Sequence, residues 1–271
     1  MKNATAYEKK IRKLLAAMPK KSAPEAPKEL EAFTLLLEGI LGADVPRKAA
    51  AGVLSELHTE FVDYNELRVA PVKDITDCMP REFWGAREKA ESIVRSLNAI
   101  FDRSSRMTME HLEKMPKRDL RKYLCEVGLS KYAAALVTLV VFSGHAVPVD
   151  QALVDALEIE GLVFPGSTVD DVQGFLERVI GQKDAYAAHE FFRDFVEKNY
   201  KAVLKKLKEH PVIYVPPPPP PPEIAKPIRP GDIKEELEAD EGESAEAKAA
   251  HKVLSPRSGK PVKPGKPTGR K

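Results

Sequence analysis

The sequence predicts an all-α fold, and three observations lead to that reading. From Glu29 to His210, apolar residues recur at spacings of three and four in almost every segment, the period of one helix face. Alternating β-branched runs, the mark of half-buried strands, are scarce. Cap residues stand before several segments, and the turns between them are brief. The spacing places helices near 5–17, 29–42 and 46–59, the second carrying the run F-T-L-L-L-E-G-I-L. Helices near 80–102 and 108–126 follow, the latter opened by Thr108 before M-E-H. An apolar helix occupies 129–143, Asp150 opens 151–161, and Thr168 opens 168–180 before V-D-D. The last helix, 185–209, runs into K-A-V-L-K-K-L-K-E-H. With no repeat of fixed period and no sustained heptads, these short helices predict a bundle.

With 271 residues, 43% of them hydrophobic, the chain is long enough to bury a real core, and a concentration of prolines late in the sequence separates one folded unit from its tails. No run of eighteen apolar residues exists and the first ten residues lack the apolar stretch of a signal peptide. Neither membrane insertion nor export is expected, so the location predicted is cytoplasmic and nucleoid-associated. Cys78 and Cys125 lack CxxC spacing or companion histidines, which excludes a structural zinc site or a four-cysteine iron–sulfur cluster; they are expected as reduced thiols packed like small hydrophobes, and no cofactor is expected.

Charge is unevenly distributed. Residues 1–28, a basic N-terminal segment, hold eight Lys/Arg against two acids; residues 248–271 hold eight against none; residues 29–210 hold 24 basic and 30 acidic residues. Basic ends of this kind are the electrostatic footprint of chains that sit on nucleic acid, and a solubilising tail is the competing reading. The seven prolines Pro216 to Pro222 predict a stiff polyproline II spacer, which can also dock in an aromatic groove of a protein partner. The acidic stretch Asp232 to Glu246 and the basic end beyond it have too few large apolar side chains to fold, so 211–271 is expected to be a disordered polyproline and charged tail.

The segment Leu124 to Asp150 carries the chemistry. L-C-E-V-G-L-S-K-Y-A reads as a helix, a glycine turn and a second helix; a Gly144-His145 turn and V-P-V-D follow. A glycine turn exposing backbone N–H groups at a helix start is a phosphate cradle. Nearby, Lys114, Lys117, Arg118, Arg121, Lys122 and Lys131 stand against Asp119 and Glu126; such a run is either a phosphate-binding surface or a solvated helix face. Asp150 is either a plain N-cap, worth about 1 kcal/mol, or a carboxylate held at the mouth of a cleft. His145 and His189 read as packing or surface residues rather than acid–base groups, and Trp84 and the Phe191, Phe192, Phe195 stripe as core before stacking platforms.

In order along the chain, F-W-G-A-R-E-K-A-E-S-I (83–93), Met107 to Pro116, the hairpin 124–134 and V-P-V-D150 resemble the helix-hairpin-helix DNA glycosylases of the endonuclease III superfamily. Residues 33–49 resemble the helix pair that opens that fold, and E-F-V-D-Y-N-E-L-R-V (60–69) resembles a divergent branch without an iron–sulfur cluster. The likeness spans roughly 29–205. It implies a two-lobed fold with a hairpin lobe of about 46–148 and a second lobe of 29–45 plus 149–210. It implies base-excision repair by a monomer on duplex DNA: Asp150 is the charged catalytic group, and Arg121, Lys122 and Val127, Gly128, Leu129, Ser130 and Lys131 form the DNA-binding set. In members that also cut the strand, a lysine stands two residues past the last hairpin glycine; here Ser130 fills that slot, which implies base removal without strong strand cleavage, unless a one-residue slip makes Lys131 the nucleophile. Glu126 replaces the first hairpin glycine and G-A-D (42–44) replaces a glutamine-containing turn. A non-catalytic DNA-binding or scaffold protein keeping the fold is therefore the alternative.

Overall fold

The computed structural model describes residues 4–19 and 29–209, all within the unit Met1–Pro217. The polyproline and charged tail and residues 1–3 and 20–28 of the basic N-terminal segment lie outside the described residues. All regular structure among them is helical: α1 Ala4–Leu15, α2 Glu29–Gly42, α3 Arg47–Glu60, α4 Tyr64–Val69, α5 Val72–Asp77, α6 Ala86–Ser104, α7 Glu110–Glu113, α8 Lys117–Glu126, α9 Lys131–Val140, α10 Gln151–Ile159, α11 Val169–Val179 and α12 Gln182–Leu207. Among these residues no helix is long and apolar enough to cross a membrane.

The expected elements shift where local chemistry intervenes. The helix expected over 108–126 is two: Pro116 has no N–H to continue α7, and it serves as the N-cap of α8. Thr108 still helps open α7, its hydroxyl accepting the Glu110 N–H at 3.3 Å, although Met109 takes the cap position. The helix expected from 80 begins only at Ala86, behind Gly85 at φ 66°. Two six-residue helices, α4 and α5, fill the stretch left unassigned; Asp63 caps the first by accepting the Glu66 N–H at 2.8 Å. The expected caps of α10 and α11 are present, Asp150 on the Leu153 N–H and Thr168 in a reciprocal box with Asp171.

Two hydrophobic clusters share α9. Ala133, Ala134 and Val137 face the first, with α2, α3, α6 and α8; Ala135, Leu136, Leu139 and Val140 face the second, with α10, α11 and α12. That double burial is why α9 is apolar all round. A Cβ at Gly39 would sit 3.2 Å from the Ala133 Cα, so glycine lets α2 lie directly on α9. The buried side chains of α2 belong to the first cluster, while Leu35 of α2 and Ala43 just beyond it touch the second. Helix α1 closes the second cluster with Ile11, and its Lys10 Nζ donates to the Gly161 carbonyl at 2.8 Å. Both cysteines are free and pack half-buried against the first cluster.

Candidate functional site

Helices α8 and α9 are joined by Val127-Gly128-Leu129-Ser130. Gly128 holds φ 109°, outside the range of L side chains, and a Cβ there would meet Arg95 Cδ at 2.6 Å. Ser92 Oγ donates to the Gly128 carbonyl at 2.6 Å and fixes the turn from α6. The amides of Val127, Gly128 and Leu129 close the end of α8, donating to the carbonyls of Tyr123 (3.0 Å), Cys125 (3.1 Å) and Leu124 (3.1 Å). Those three N–H groups, which the sequence offers as a phosphate cradle, are used here to shape the turn. Ser130 is itself the cap of α9, its Oγ accepting the Ala133 N–H at 3.1 Å.

A groove of about 840 Å³ runs beside the hairpin, with Lys117, Arg118, Arg121, Lys122 and Lys131 on one wall and α11 opposite. Helix α11 brings two acids that the local sequence count omits: Asp170 pairs with Lys131 Nζ at 2.5 Å and Glu177 with Arg121 at 2.5 Å. Gly144 makes the far turn possible, since a Cβ would lie 2.7 Å from Thr138 Cγ2, and its amide is used by the Thr138 carbonyl at 2.8 Å. His145 is exposed at the groove, and its Nε2 bonds the Ile180 carbonyl at 2.9 Å.

Asp150 does not line that groove. It is 6% exposed. Its Oδ1 accepts the Leu153 N–H at 2.9 Å and its Oδ2 accepts the Asp44 N–H at 2.9 Å. Asp44 returns the contact, its Oδ1 accepting the Ala152 N–H at 2.8 Å. Arg193 NH1 lies 3.8 Å from Asp150 Oδ2, and Lys89, 8% exposed, approaches from α6. Part of Asp44 reaches solvent, yet its carboxyl is desolvated, which together with repulsion from Asp150 pushes it up to about 7. Burial pulls Lys89 down to about 7 against the attraction of the two acids. Behind them Tyr132 is buried under Arg193, which lies 5.8 Å from its ring centroid, and burial drives its hydroxyl upward. His189, its ring tilted against that of Tyr132 at 6.1 Å, is pulled down to about 3 by burial and by Arg193. Among the described residues no three His, Cys, Asp or Glu side chains converge as a metal would require.

No family model and no curated protein matches the sequence. Solved structures do match. A trapped covalent complex of Endonuclease III with DNA aligns with a TM-score of 0.52 at 19% identity, over 72% of this chain and 86% of that one. The 3-methyladenine DNA glycosylase MagIII of H. pylori aligns at 0.50 and 18%, over 73% and 96%. The fold is that of the helix-hairpin-helix DNA glycosylases. An 8-oxoguanine glycosylase/lyase of Clostridium acetobutylicum, bound to duplex DNA, is similar at 0.52 and 15%, over 73% and 71%.

Within this glycosylase fold the sequence-predicted residues divide into two groups. Arg121, Lys122 and Val127 to Lys131 gather at the hairpin and groove, whereas Asp150 sits in the buried cluster with Asp44, Lys89 and Arg193. Lys131, whose side chain is 56% exposed, is held by Asp170. Sequence reasoning missed Asp44, Lys89, Arg193 and Tyr132. A signal existed for two of them: Lys89 continues the α6 stripe of Ile93, Leu97 and Ile100, and Arg193 stands between His189 and Val196 on the buried face of α12. A lone cation within an apolar stripe is buried and has a partner.

Proposed function

We propose that this chain is a base-excision DNA repair protein that binds duplex DNA at the hairpin face and hydrolyses the N-glycosidic bond of a damaged or mispaired base. The observation that carries this reading is that Asp150 caps α10 immediately beyond the hairpin helix, in a fold whose solved examples named above are DNA glycosylases or an Endonuclease III–DNA intermediate. Breaking a glycosidic bond builds positive charge on the deoxyribose, and a fixed carboxylate beside the sugar stabilises it. Arg121, Lys122 and the α9 start from Ser130 to Lys131 supply the phosphate contacts, and Val127, Gly128 and Leu129 supply the turn that presents them. Strand cleavage is weak in this reading, because the Ser130 hydroxyl is used as a cap and the Lys131 amine is held by Asp170.

A second reading, a non-catalytic DNA-binding protein, is favoured by one observation: both oxygens of Asp150 already accept hydrogen bonds in a nearly closed site. Single-turnover release of base from duplexes carrying uracil, an oxidised pyrimidine or mispaired adenine separates the two. Release that Asp150→Asn abolishes, with duplex binding retained, supports the enzyme; binding without any Asp150-dependent product supports the second reading. Borohydride trapping of a covalent adduct that Lys131→Ala eliminates would overturn the assignment of weak strand cleavage.

A further inference from the structure

We propose that Asp44 is the positioning residue of Asp150, and that the turn from Gly42 to Val45 is a clasp through which α2 holds that carboxylate. The proposal rests on the excision reading, in which Asp150 is the charged catalytic group. Each acid grips the other's backbone: the Asp44 amide donates to Asp150 Oδ2 at 2.9 Å, and the Ala152 amide donates to Asp44 Oδ1 at 2.8 Å. The N-terminus of α10 thus carries two carboxylates, Asp150 from its own chain start and Asp44 from a turn 106 residues away. To do this Asp44 adopts φ 59°, a left-handed conformation that Asp and Asn tolerate and most side chains resist.

The turn is anchored as a connecting loop has no need to be. Lys89 Nζ donates to the Leu41 and Ala43 carbonyls at 2.8 and 2.7 Å, and Arg193 donates to the Gly42 and Val45 carbonyls at 3.0 Å each. Two buried cations, from α6 and α12, therefore hold four carbonyls of one short turn. With its backbone fixed in this way, the Asp44 amide pins Oδ2 while the Leu153 amide pins Oδ1, and the Asp150 carboxylate cannot rotate.

The test compares Asp44→Ala, Asp44→Gly and Asp44→Asn by single-turnover base release and by affinity for a duplex carrying a tetrahydrofuran abasic analogue. Alanine and glycine both remove the Ala152 anchor, glycine without backbone strain; asparagine keeps an acceptor oxygen and the left-handed conformation. A misplaced catalytic group costs about tenfold to a hundredfold; that loss is expected for alanine and glycine, with analogue affinity within about twofold of wild type. Asparagine should recover the rate to within about threefold of wild type. Equal rates in wild type and Asp44→Gly, or an asparagine variant as slow as alanine, overturn the positioning role alone. A wild-type chain that releases no base from any of the duplexes overturns the excision reading and this inference with it.

Discussion

Replacing Arg193 by methionine should be among the most destabilising single changes in this protein. Arg193 is 9% exposed, and its guanidinium donates to two backbone carbonyls and stands 3.8 Å from Asp150 Oδ2. Methionine retains much of the apolar stem but removes a donor from both carbonyls, leaving Gly42 only the Val45 N–H at 3.4 Å, and leaves two acids facing Lys89 alone. Removing one member of a buried charge pair costs about 3–5 kcal/mol, and the lost carbonyl hydrogen bonds are part of that figure. Lysine at the same position keeps the charge but cannot span two carbonyls, so about 1–2 kcal/mol of loss is expected for Arg193→Lys. The cost also depends on pH. The folded Asp44 carboxyl is raised to about 7, so its favourable contribution is complete below the ordinary carboxylate range and is lost as pH rises through about 7. Without Arg193 the charged acids are worse off still, so the methionine variant should lose at least about 1 kcal/mol more at pH 8 than at pH 5. Urea unfolding at both pH values, with unchanged m, measures this. A loss below about 1 kcal/mol, or one equal at the two pH values, would refute the reasoning.

Three further outcomes are expected. Gly128→Ala should cost at least about 1–2 kcal/mol, because φ 109° is strained for alanine and its Cβ meets Arg95; an unchanged thermal midpoint would sink the account of the hairpin. His189 is pulled down to about 3 in the fold, so its contribution is present above the ordinary histidine value and lost as pH falls towards 3. His189→Phe, which keeps the ring contact with Tyr132, should flatten the decline in stability between about pH 6.5 and 4, measured by urea unfolding; an identical acid limb would count against a buried neutral imidazole. Asp170→Asn frees Lys131 at the groove and should tighten duplex DNA binding with a salt slope steeper by about one; unchanged affinity and slope would remove Lys131 from the phosphate contacts.

The readable parts of the fold were those whose signal is local and long enough. Helices α2, α3, α10 and α11 repeat apolar residues over several turns, and Asp150 and Thr168 announce their helices because an N-cap acts within three residues of itself. Helices α4 and α5, with six residues each, are too short for a 3.6-residue period to declare itself. The break at Pro116 was available in principle, since proline has no amide hydrogen, but the apolar pattern runs through it. At the hairpin, the glycine turn at Gly128 is legible in the sequence, whereas Ser130, which the resemblance puts in a lysine slot, is the cap of α9, and the use of the Val127 to Leu129 amides inside α8 depends on how tightly that helix ends.

What the sequence by itself determined is the all-helical class, the hairpin between α8 and α9, and the carboxylate at the head of α10, all set by backbone propensity and capping over a few residues. What only the tertiary structure decided is the company those groups keep. Asp170 and Glu177 cross from α11 to neutralise Lys131 and Arg121, and Asp44, Lys89 and Arg193 converge on Asp150 from three other helical segments. Charges this far apart in sequence meet only once packing brings their helices together, and for the Asp150 cluster removes the water around them; that packing is a property of the whole bundle rather than of any stretch of it.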